Sequence, residues 1–314
     1  MNTRLSQTIP GRSIAVLARL TLGVALIATA VLSAPAASAE DDSSADEYFK
    51  LGNEYFNGKL YDKAVEAYEK CVEVRPAYKE GWYNLGIAYS KQHKYRKEID
   101  AYKKAVEIDP RYDKALYNLA IAYEDAGQLE DALHTYERVE QVSPDAVDAL
   151  VNQGILRARL GQIDEAIATY QRAIGKDDSL PDAWFNLGIA FARKAEKASD
   201  DAVRKDLLEK ERDAYKKTVE IAPSYHKGWY NLAISHNKLG HLDDEIAAYE
   251  EALKARPNYP QALFNLAYAY EEKKDNAKAI EAWKRYVASA EKLPTEQEYI
   301  AIAKQELQRL GGAN

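Results

Sequence analysis

The side chains that could most readily hold a metal ion cluster between positions 236 and 245. They are His236, His241, Asp243, Asp244 and Glu245, and imidazole and carboxylate groups of this kind can bind Zn²⁺ or Ni²⁺. However, five positions and a predicted turn separate the two histidines. The acidic residues also suit the first turn of a helix, where negative charge favours the helix dipole. We therefore predict that no metal is bound here.

No other arrangement in the sequence points to catalysis. The sequence lacks a glycine-rich phosphate loop, a His-Glu-x-x-His motif, a serine elbow and a pair of cysteines, which mark several common classes of catalytic site. Its single cysteine, Cys71, falls on an apolar helical face, so we interpret it as a small buried hydrophobic residue rather than a reactive thiol. The sequence thus predicts a protein that is not an enzyme and needs no cofactor.

A row of asparagines is the most regular feature with chemical capacity. An amide side chain offers one acceptor and two donors, so it can pair with the N–H and C=O groups of a peptide backbone whatever side chains that peptide carries. The six asparagines are Asn84, Asn118, Asn152, Asn186, Asn231 and Asn265. An aromatic row runs beside them and contains Phe49, Tyr83, Tyr117, Phe185, Tyr230 and Phe264. A third row, mostly isoleucine, contains Ile87, Ile121, Ile155, Ile189, Ile234 and Tyr268.

Helical hairpins must position these rows. In residues 81–110, apolar residues at spacings of three and four mark one face of each of two helices. The first face holds Trp82, Leu85, Gly86 and Tyr89, and the second holds Ile99, Tyr102, Ala105 and Val106. Pro110 closes the second helix because proline cannot donate the next hydrogen bond. Two such short helices cannot bury their apolar faces alone, so copies must stack against them.

Those copies recur with a period of 34 residues. The fourth, seventh, eighth and eleventh residues of the units read Tyr48, Leu51, Gly52, Tyr55; Trp82, Leu85, Gly86, Tyr89; Leu116, Leu119, Ala120, Tyr123; Leu150, Gln153, Gly154, Arg157; Trp184, Leu187, Gly188, Phe191; Trp229, Leu232, Ala233, His236; and Leu263, Leu266, Ala267, Tyr270. The aromatic residues of the second helices are Tyr68, Tyr102, Tyr136, Tyr170, Tyr215, Tyr249 and Trp283. This order of residues closely resembles the tetratricopeptide repeat family. The small residues, such as Gly86, are expected where two helices cross closely.

The resemblance implies an all-α solenoid, a right-handed superhelix of seven helical hairpins with a capping helix at residues 295–310. The predicted units are 45–78, 79–112, 113–146, 147–180, 181–225, 226–259 and 260–292. The fifth unit contains an insertion of 11 residues, about three helical turns, so both of its helices are expected to lengthen without rotating their apolar faces. We expect the turn at Ser199-Asp200, with the second helix capped there.

The fourth unit departs from the pattern at Gln153 and Arg157, where Leu and Tyr are expected. One interpretation is neutral drift, with the arginine stem covering apolar surface. The other is a soft joint in the array, because unpaired polar groups weaken a buried seam.

Residues 1–39 differ from the rest of the chain and predict a cleaved signal peptide. Three arginines lead into the apolar run Leu20 to Leu32, and Ala37-Ser38-Ala39 supplies the small-x-small pattern before a cut after Ala39. The protein would then be periplasmic or secreted, with residues 40–44 as a disordered acidic lead. The alternative is an uncleaved membrane anchor, because the apolar stretch extended back to Ile14 approaches the ~20 residues that span a bilayer.

The net charge of the chain disfavours some kinds of binding partner. The whole chain has a formal net charge of −7, and removal of residues 1–39 with their three arginines would make it −10. Such an excess of negative charge disfavours nucleic acid and anionic membrane surfaces. A protein or peptide is therefore the expected partner, with no direct membrane binding after signal cleavage.

The family resemblance also implies where that partner binds. In tetratricopeptide repeat proteins the asparagine positions line the concave face and hold the backbone of an extended peptide, so the asparagine and aromatic rows are the predicted groove. The expected function is that of an adaptor or assembly factor that binds an extended segment of an envelope protein. The alternative is a self-assembling scaffold in which a neighbouring protomer fills the groove.

Overall fold

A computed structural model of the chain describes residues 39–311. The predicted signal peptide and its alternative, an uncleaved anchor, lie outside the described residues except for Ala39, and both stay predictions. Within residues 39–311, no helix combines the length and the apolar character needed to cross a bilayer.

Residues 39–311 form fifteen α-helices and contain no β-strand. The helices are α1 (Ala39–Asn57), α2 (Tyr61–Val74), α3 (Lys79–Lys91), α4 (Tyr95–Ile108), α5 (Asp113–Asp125), α6 (Leu129–Val142), α7 (Val147–Arg159), α8 (Ile163–Lys176), α9 (Pro181–Lys197), α10 (Asp201–Ile221), α11 (His226–Leu239), α12 (Leu242–Ala255), α13 (Pro260–Glu272), α14 (Asn276–Ala290) and α15 (Gln297–Arg309). They divide into two compact units, a first unit of residues 39–128 with α1–α5 and a second unit of residues 129–311 with α6–α15. The prediction of an all-α solenoid is confirmed.

Short turns of one kind join the paired helices of the described hairpins, except between α9 and α10. In the turn after α3, His93 is left-handed with φ 56°, and the N–H of Lys94 donates to the carbonyl of Tyr89 at 3.1 Å. Gly127, Gly161 and Gly240 occupy the same left-handed position in later turns, where glycine carries no steric penalty. This hydrogen bond closes the C-terminus of the first helix, and it places the eleventh and sixteenth residues of a unit side by side.

The small residues of the first helices allow close contact with the second helices. A Cβ atom on Gly86 would lie only 2.5 Å from the ring of Tyr102, and the same holds at 2.4 to 2.6 Å for Gly52, Gly154 and Gly188 against Tyr68, Tyr170 and Tyr215. The predicted close crossing of the helices is confirmed. The tyrosine rings fill the space that the missing side chains leave, and they form the buried centre of each hairpin.

The insertion in the fifth unit lengthens both of its helices, as predicted. α9 has 17 residues where α7 has 13, and α10 has 21 where α8 has 14. Asp200 caps α10, because its Oδ1 accepts the N–H of Val203 at 2.9 Å. The added turns bury Ala195 and Leu207, so the extension is packed along its length rather than solvated all round.

Both ends of the array differ from their neighbours. At the C-terminal end, a 3₁₀ turn at Pro294–Glu296 leads into α15, whose Ile300, Ala303 and Leu307 are buried. At the other end, residues 40–44, expected to be a disordered lead, belong to α1. The disordered lead is therefore corrected to helix. A helix already nucleated gains one backbone hydrogen bond for each residue added, which favours its extension.

Candidate peptide-binding site

Each of the six asparagines is the sixth residue of a first helix, from α3 to α13. Five of them are half-buried, and Asn265 is buried with only 2% of its surface exposed. Their hydrogen bonds divide them into two groups. One group reaches another helix and the other bonds only to its own helix.

The asparagines of the first unit reach other helices. The Nδ2 of Asn84 donates to the Oδ1 of Asn53 at 2.9 Å, and that same oxygen accepts the hydroxyl of Tyr68 at 2.7 Å. Burial raises the pKa of Tyr68 to about 12, so its hydroxyl stays a neutral donor at physiological pH. The Nδ2 of Asn118 donates to the hydroxyl of Tyr83 at 3.2 Å. Both amides therefore join successive repeats.

Two asparagines of the second compact unit, residues 129–311, also donate hydrogen bonds to other helices. Asn152 donates to the hydroxyl of Tyr136 at 3.2 Å, and Asn265 donates to the hydroxyl of Tyr230 at 3.3 Å. The Oδ1 of Asn265 is buried without a hydrogen-bond partner among the described residues. The hydrogen bonds to these tyrosine hydroxyls compensate for the loss of water around the amide donors.

Asn186 and Asn231 form the second group. The Nδ2 of Asn186 donates to the carbonyl of Asp182 at 2.8 Å, and that of Asn231 donates to the carbonyl of Lys227 at 2.9 Å. In both cases the acceptor lies one turn earlier in the same helix, and among the residues that the structure describes neither amide bonds to another helix. These two amides can turn toward a ligand without breaking an inter-helix contact.

The fifth residue of the preceding first helix explains much of the difference. It is Tyr83 before Asn118 and Tyr230 before Asn265, and each supplies the hydroxyl that accepts the amide. Before Asn186 and Asn231, the fifth residues of α7 and α9 are a valine and a phenylalanine, which have no hydroxyl. The sequence contains this signal, although the family resemblance implies one role for all six asparagines.

The aromatic row packs within the hairpins. The ring of Phe185 lies 5.7 Å from that of Tyr215 and 5.1 Å from that of Tyr225. The corresponding residues Phe49, Tyr83 and Tyr230 each lie between two tyrosine rings at 5.1 to 6.0 Å. Phe49, Tyr83, Tyr117 and Phe185 remain half-buried. Any contact they make with a ligand uses only the exposed part of each ring.

Three of the predicted contact residues are buried in the structure. Tyr230 is 4% exposed, and Phe264 and Asn265 are each 2% exposed. The C-terminal helices cover Phe264, whose ring lies 5.1 Å from that of Tyr286 and 5.7 Å from that of Tyr299. Tyr230 instead packs between the rings of Tyr249 and Tyr259.

An apolar strip remains exposed beside Asn186 and Asn231. Phe185, Ile189 and Ile234 are half-buried and pack against one continuous core of the second unit. Asp182 and Lys227 are exposed on the same two helices. The strip therefore offers apolar contact beside one negative and one positive side chain. Because these two charges oppose each other, the strip favours an uncharged extended segment over a strongly charged one.

The unusual residues of the fourth unit form hydrogen bonds with two neighbouring helices. Gln153 is fully buried, and its Nε2 donates to the carbonyl of Tyr136 at 3.2 Å and to Oε2 of Glu140 at 3.1 Å. Arg157 donates to Oε1 of Glu137 at 2.9 Å and to the hydroxyl of Thr169. These bonds connect α6, α7 and α8, whereas the Oε1 of Gln153 is buried without a hydrogen-bond partner among the described residues. Neutral drift and a soft joint both stay predictions.

The structure also brings together three of the residues with metal-binding groups. His236, His241 and Asp244 each offer a ligating atom, and these atoms lie within 4.8 Å of one another. Sequence spacing suggested that the histidines were apart, but the turn after α11 joins them. The N–H of His241 donates to the carbonyl of His236 at 2.9 Å.

Comparison with solved structures identifies similar helical arrays. A tetratricopeptide repeat protein from Parabacteroides merdae is 15% identical with a TM-score of 0.56, and the match covers 83% of this chain and 99% of that one. The pilF protein of Pseudomonas aeruginosa is 14% identical with a TM-score of 0.54, covering 71% and 96%. YrrB, described as a TPR protein with an unusual peptide-binding site, is 18% identical with a TM-score of 0.51, covering 63% and 97%. At these identities the likeness shows the fold alone.

Family models give the sequence-level assignment. Models described as tetratricopeptide repeat or TPR repeat match residues 41–93, 80–112, 117–181, 153–226, 194–260 and 230–294. No curated protein matches the sequence. Proteins with this repeat broadly mediate protein–protein interactions, and the repeat is generally a non-catalytic module. The chain belongs to the tetratricopeptide repeat family.

Proposed function

We propose that this protein is exported and binds an extended segment of an envelope protein along α9 and α11 of the second unit. The proposal rests on the hydrogen bonds of Asn186 and Asn231, whose side-chain amides donate only to backbone carbonyls of their own helices. The other four asparagines donate to side chains elsewhere in the array. Export rests on the signal-like features of residues 1–39.

The spacing of α9 and α11 suits an extended peptide. Both helices pack against α10, and neighbouring first helices are expected to lie about 8–10 Å apart. An extended chain advances ~3.3 Å per residue, so one amide would meet the ligand backbone about every three residues. Each amide can accept a backbone N–H and donate to a backbone C=O.

The apolar strip would supply the remaining contact. Phe185, Ile189 and Ile234 retain exposed surface around the two amides, and burial of apolar surface contributes about 25 cal/mol per Å². The hydrogen bonds would orient the segment, while the strip would favour apolar side chains at alternating positions.

Selection from a random peptide library displayed on phage, followed by titration of the selected peptide, tests this function. The double variant Asn186→Ala with Asn231→Ala should bind the peptide roughly tenfold to a hundredfold more weakly, since each lost hydrogen bond contributes about 1 kcal/mol. The matched control is Asn84→Ala with Asn118→Ala, which changes the same repeat position in the first unit. That control should bind with nearly unchanged affinity.

Equal loss of binding in both double variants would contradict the assignment to α9 and α11.

Self-association is the competing use of the same surface. Light scattering over a concentration series should show a monomer, and a concentration-dependent increase in mass that Asn186→Ala with Asn231→Ala abolishes would instead indicate that a second copy occupies the site.

A further inference from the structure

We propose that His236, His241 and Asp244 form a binding site for one divalent transition-metal ion of the Zn²⁺ class. The three ligating atoms lie within 4.8 Å of one another. Imidazole nitrogen with carboxylate oxygen is a donor set that Zn²⁺ and its neighbours accept. The site lies at the turn between α11 and α12.

The backbone of that turn brings the donors together. Gly240 is left-handed with φ 76°, which allows the N–H of His241 to reach the carbonyl of His236 at 2.9 Å. The two imidazole rings then lie 5.8 Å apart. Asp244, in the first turn of α12, places its Oδ2 3.9 Å from Nδ1 of His236. The donors are thus held by a turn that several other units share. The sixth unit differs in the residue types that it places around this turn.

Comparison with the other repeats shows that the two histidines are particular to the sixth unit. The third and fourth units already carry Asp131 and Glu165 at the position of Asp244. In the second unit of the repeat series, the equivalent of His236 is Tyr89, and Lys97, the equivalent of Asp244, lies over its ring at 5.2 Å. The same lysine-over-tyrosine contact occurs for Lys63 with Tyr55 and for Lys278 with Tyr270. The sixth unit replaces this cation and aromatic ring by a carboxylate and an imidazole. Among the repeats in residues 39–311, only the sixth combines a carboxylate at this position with two histidines beside it.

The state of His236 supports the same assignment. Its Nδ1 is buried and has no hydrogen-bond partner among the described residues, whereas buried ring nitrogens are normally paired.

The surroundings leave room for an ion and its water. The three donors line a cavity of about 520 Å³ together with Trp229 and residues of α10. Of the cations in that lining, Arg212 donates to Asp213 at 2.7 Å. Carboxylates of Asp213 and Glu220 face the same cavity, so its positive charges are offset. Three protein ligands would leave at least one coordination position for water or for a group of a partner.

Calorimetric titration of Zn²⁺ into the protein, purified without a histidine tag and freed of metal by a chelator, tests the site. We expect one ion per chain. His241→Ala and Asp244→Asn should each weaken binding by roughly tenfold or more, and both positions are exposed, so neither change disturbs the core. The matched control is His134→Ala, which removes an exposed histidine that also has a carboxylate 3.9 Å away and should leave the affinity unchanged.

Visible absorption of the Co²⁺-loaded protein gives a second readout of coordination. The spectrum should change in His241→Ala and stay the same in His134→Ala. Failure to bind Zn²⁺, or binding that neither His241→Ala nor Asp244→Asn weakens, would overturn the proposal. The variants leave Asn186 and Asn231 intact, so this test is independent of peptide binding.

Discussion

Two asparagines of the first unit and two of the second occupy the same repeat position but make different hydrogen bonds. In the first unit, Asn84 and Asn118 donate to side chains of the preceding repeat at 2.9 and 3.2 Å. In the second unit, Asn186 and Asn231 sit at the same position of their helices, yet each donates to a backbone carbonyl one turn earlier. The same residue type therefore stabilises the array in one region and remains available to a ligand in another.

The comparison shows that repeat position alone does not define a binding residue. What matters is whether the preceding repeat offers an acceptor within reach. Tyr83 offers a hydroxyl to Asn118, whereas Phe185 has none to offer Asn231. A recurrent polar residue in a repeat protein is thus best assigned after its neighbour in the previous repeat has been identified.

The largest difference should appear in stability. Asn118→Ala should lower the free energy of unfolding by about 1 kcal/mol more than Asn186→Ala does, because only the first change removes an inter-helix hydrogen bond. Both changes gain the same helix propensity, so that contribution cancels. Urea denaturation followed by circular dichroism measures both variants.

A double-mutant cycle makes the same comparison specific. Asn118→Ala combined with Tyr83→Phe should give a coupling of about 0.5–1 kcal/mol. The control cycle, Asn231→Ala with Phe185→Leu, should give a coupling close to zero. Equal couplings in the two cycles would remove the distinction between Asn118 and Asn231.

A smaller effect is expected when the missing acceptor is restored. Phe185→Tyr places a hydroxyl where Tyr83 and Tyr230 carry theirs, so the amide of Asn231 should turn toward it. Affinity for the selected peptide should then fall a few-fold, equivalent to about 0.5–1 kcal/mol. Titration of the Phe185→Tyr protein with that peptide measures the change. The control is Phe49→Tyr in the first unit, and an equal fall in that variant would show that the hydroxyl acts by another route.

Helical periodicity accounted for most of the fold. The first helices from α3 to α13 begin at the first residue of their predicted repeat units. The inserted length in the fifth unit was sufficient to predict two longer helices with Asp200 as the cap. The helical start of α1 was missed because its acidic composition is also typical of disordered segments. Local composition does not show that a helix has already been nucleated further along the chain.

The candidate site was less predictable because it depends on tertiary contacts. Phe264 and Asn265 have the same residue types as their counterparts in other repeats, and only the packing of the C-terminal helices shows that they are buried. The proximity of His236 to His241 depends on a left-handed glycine between them. That glycine was visible in the sequence, but its hydrogen-bonding role required the backbone geometry.

Site-specific photocrosslinking in the producing cell tests the central claim most directly. A photoreactive amino acid would replace Ile189 or Ile234 beside the available asparagines, with Ile87 and Ile121 at the same repeat position of the first unit as matched controls. We predict crosslinks from positions 189 and 234 to one envelope protein, identified by mass spectrometry, and only background from positions 87 and 121. Crosslinks to that protein from the first unit alone, or equally from both units, would contradict the account.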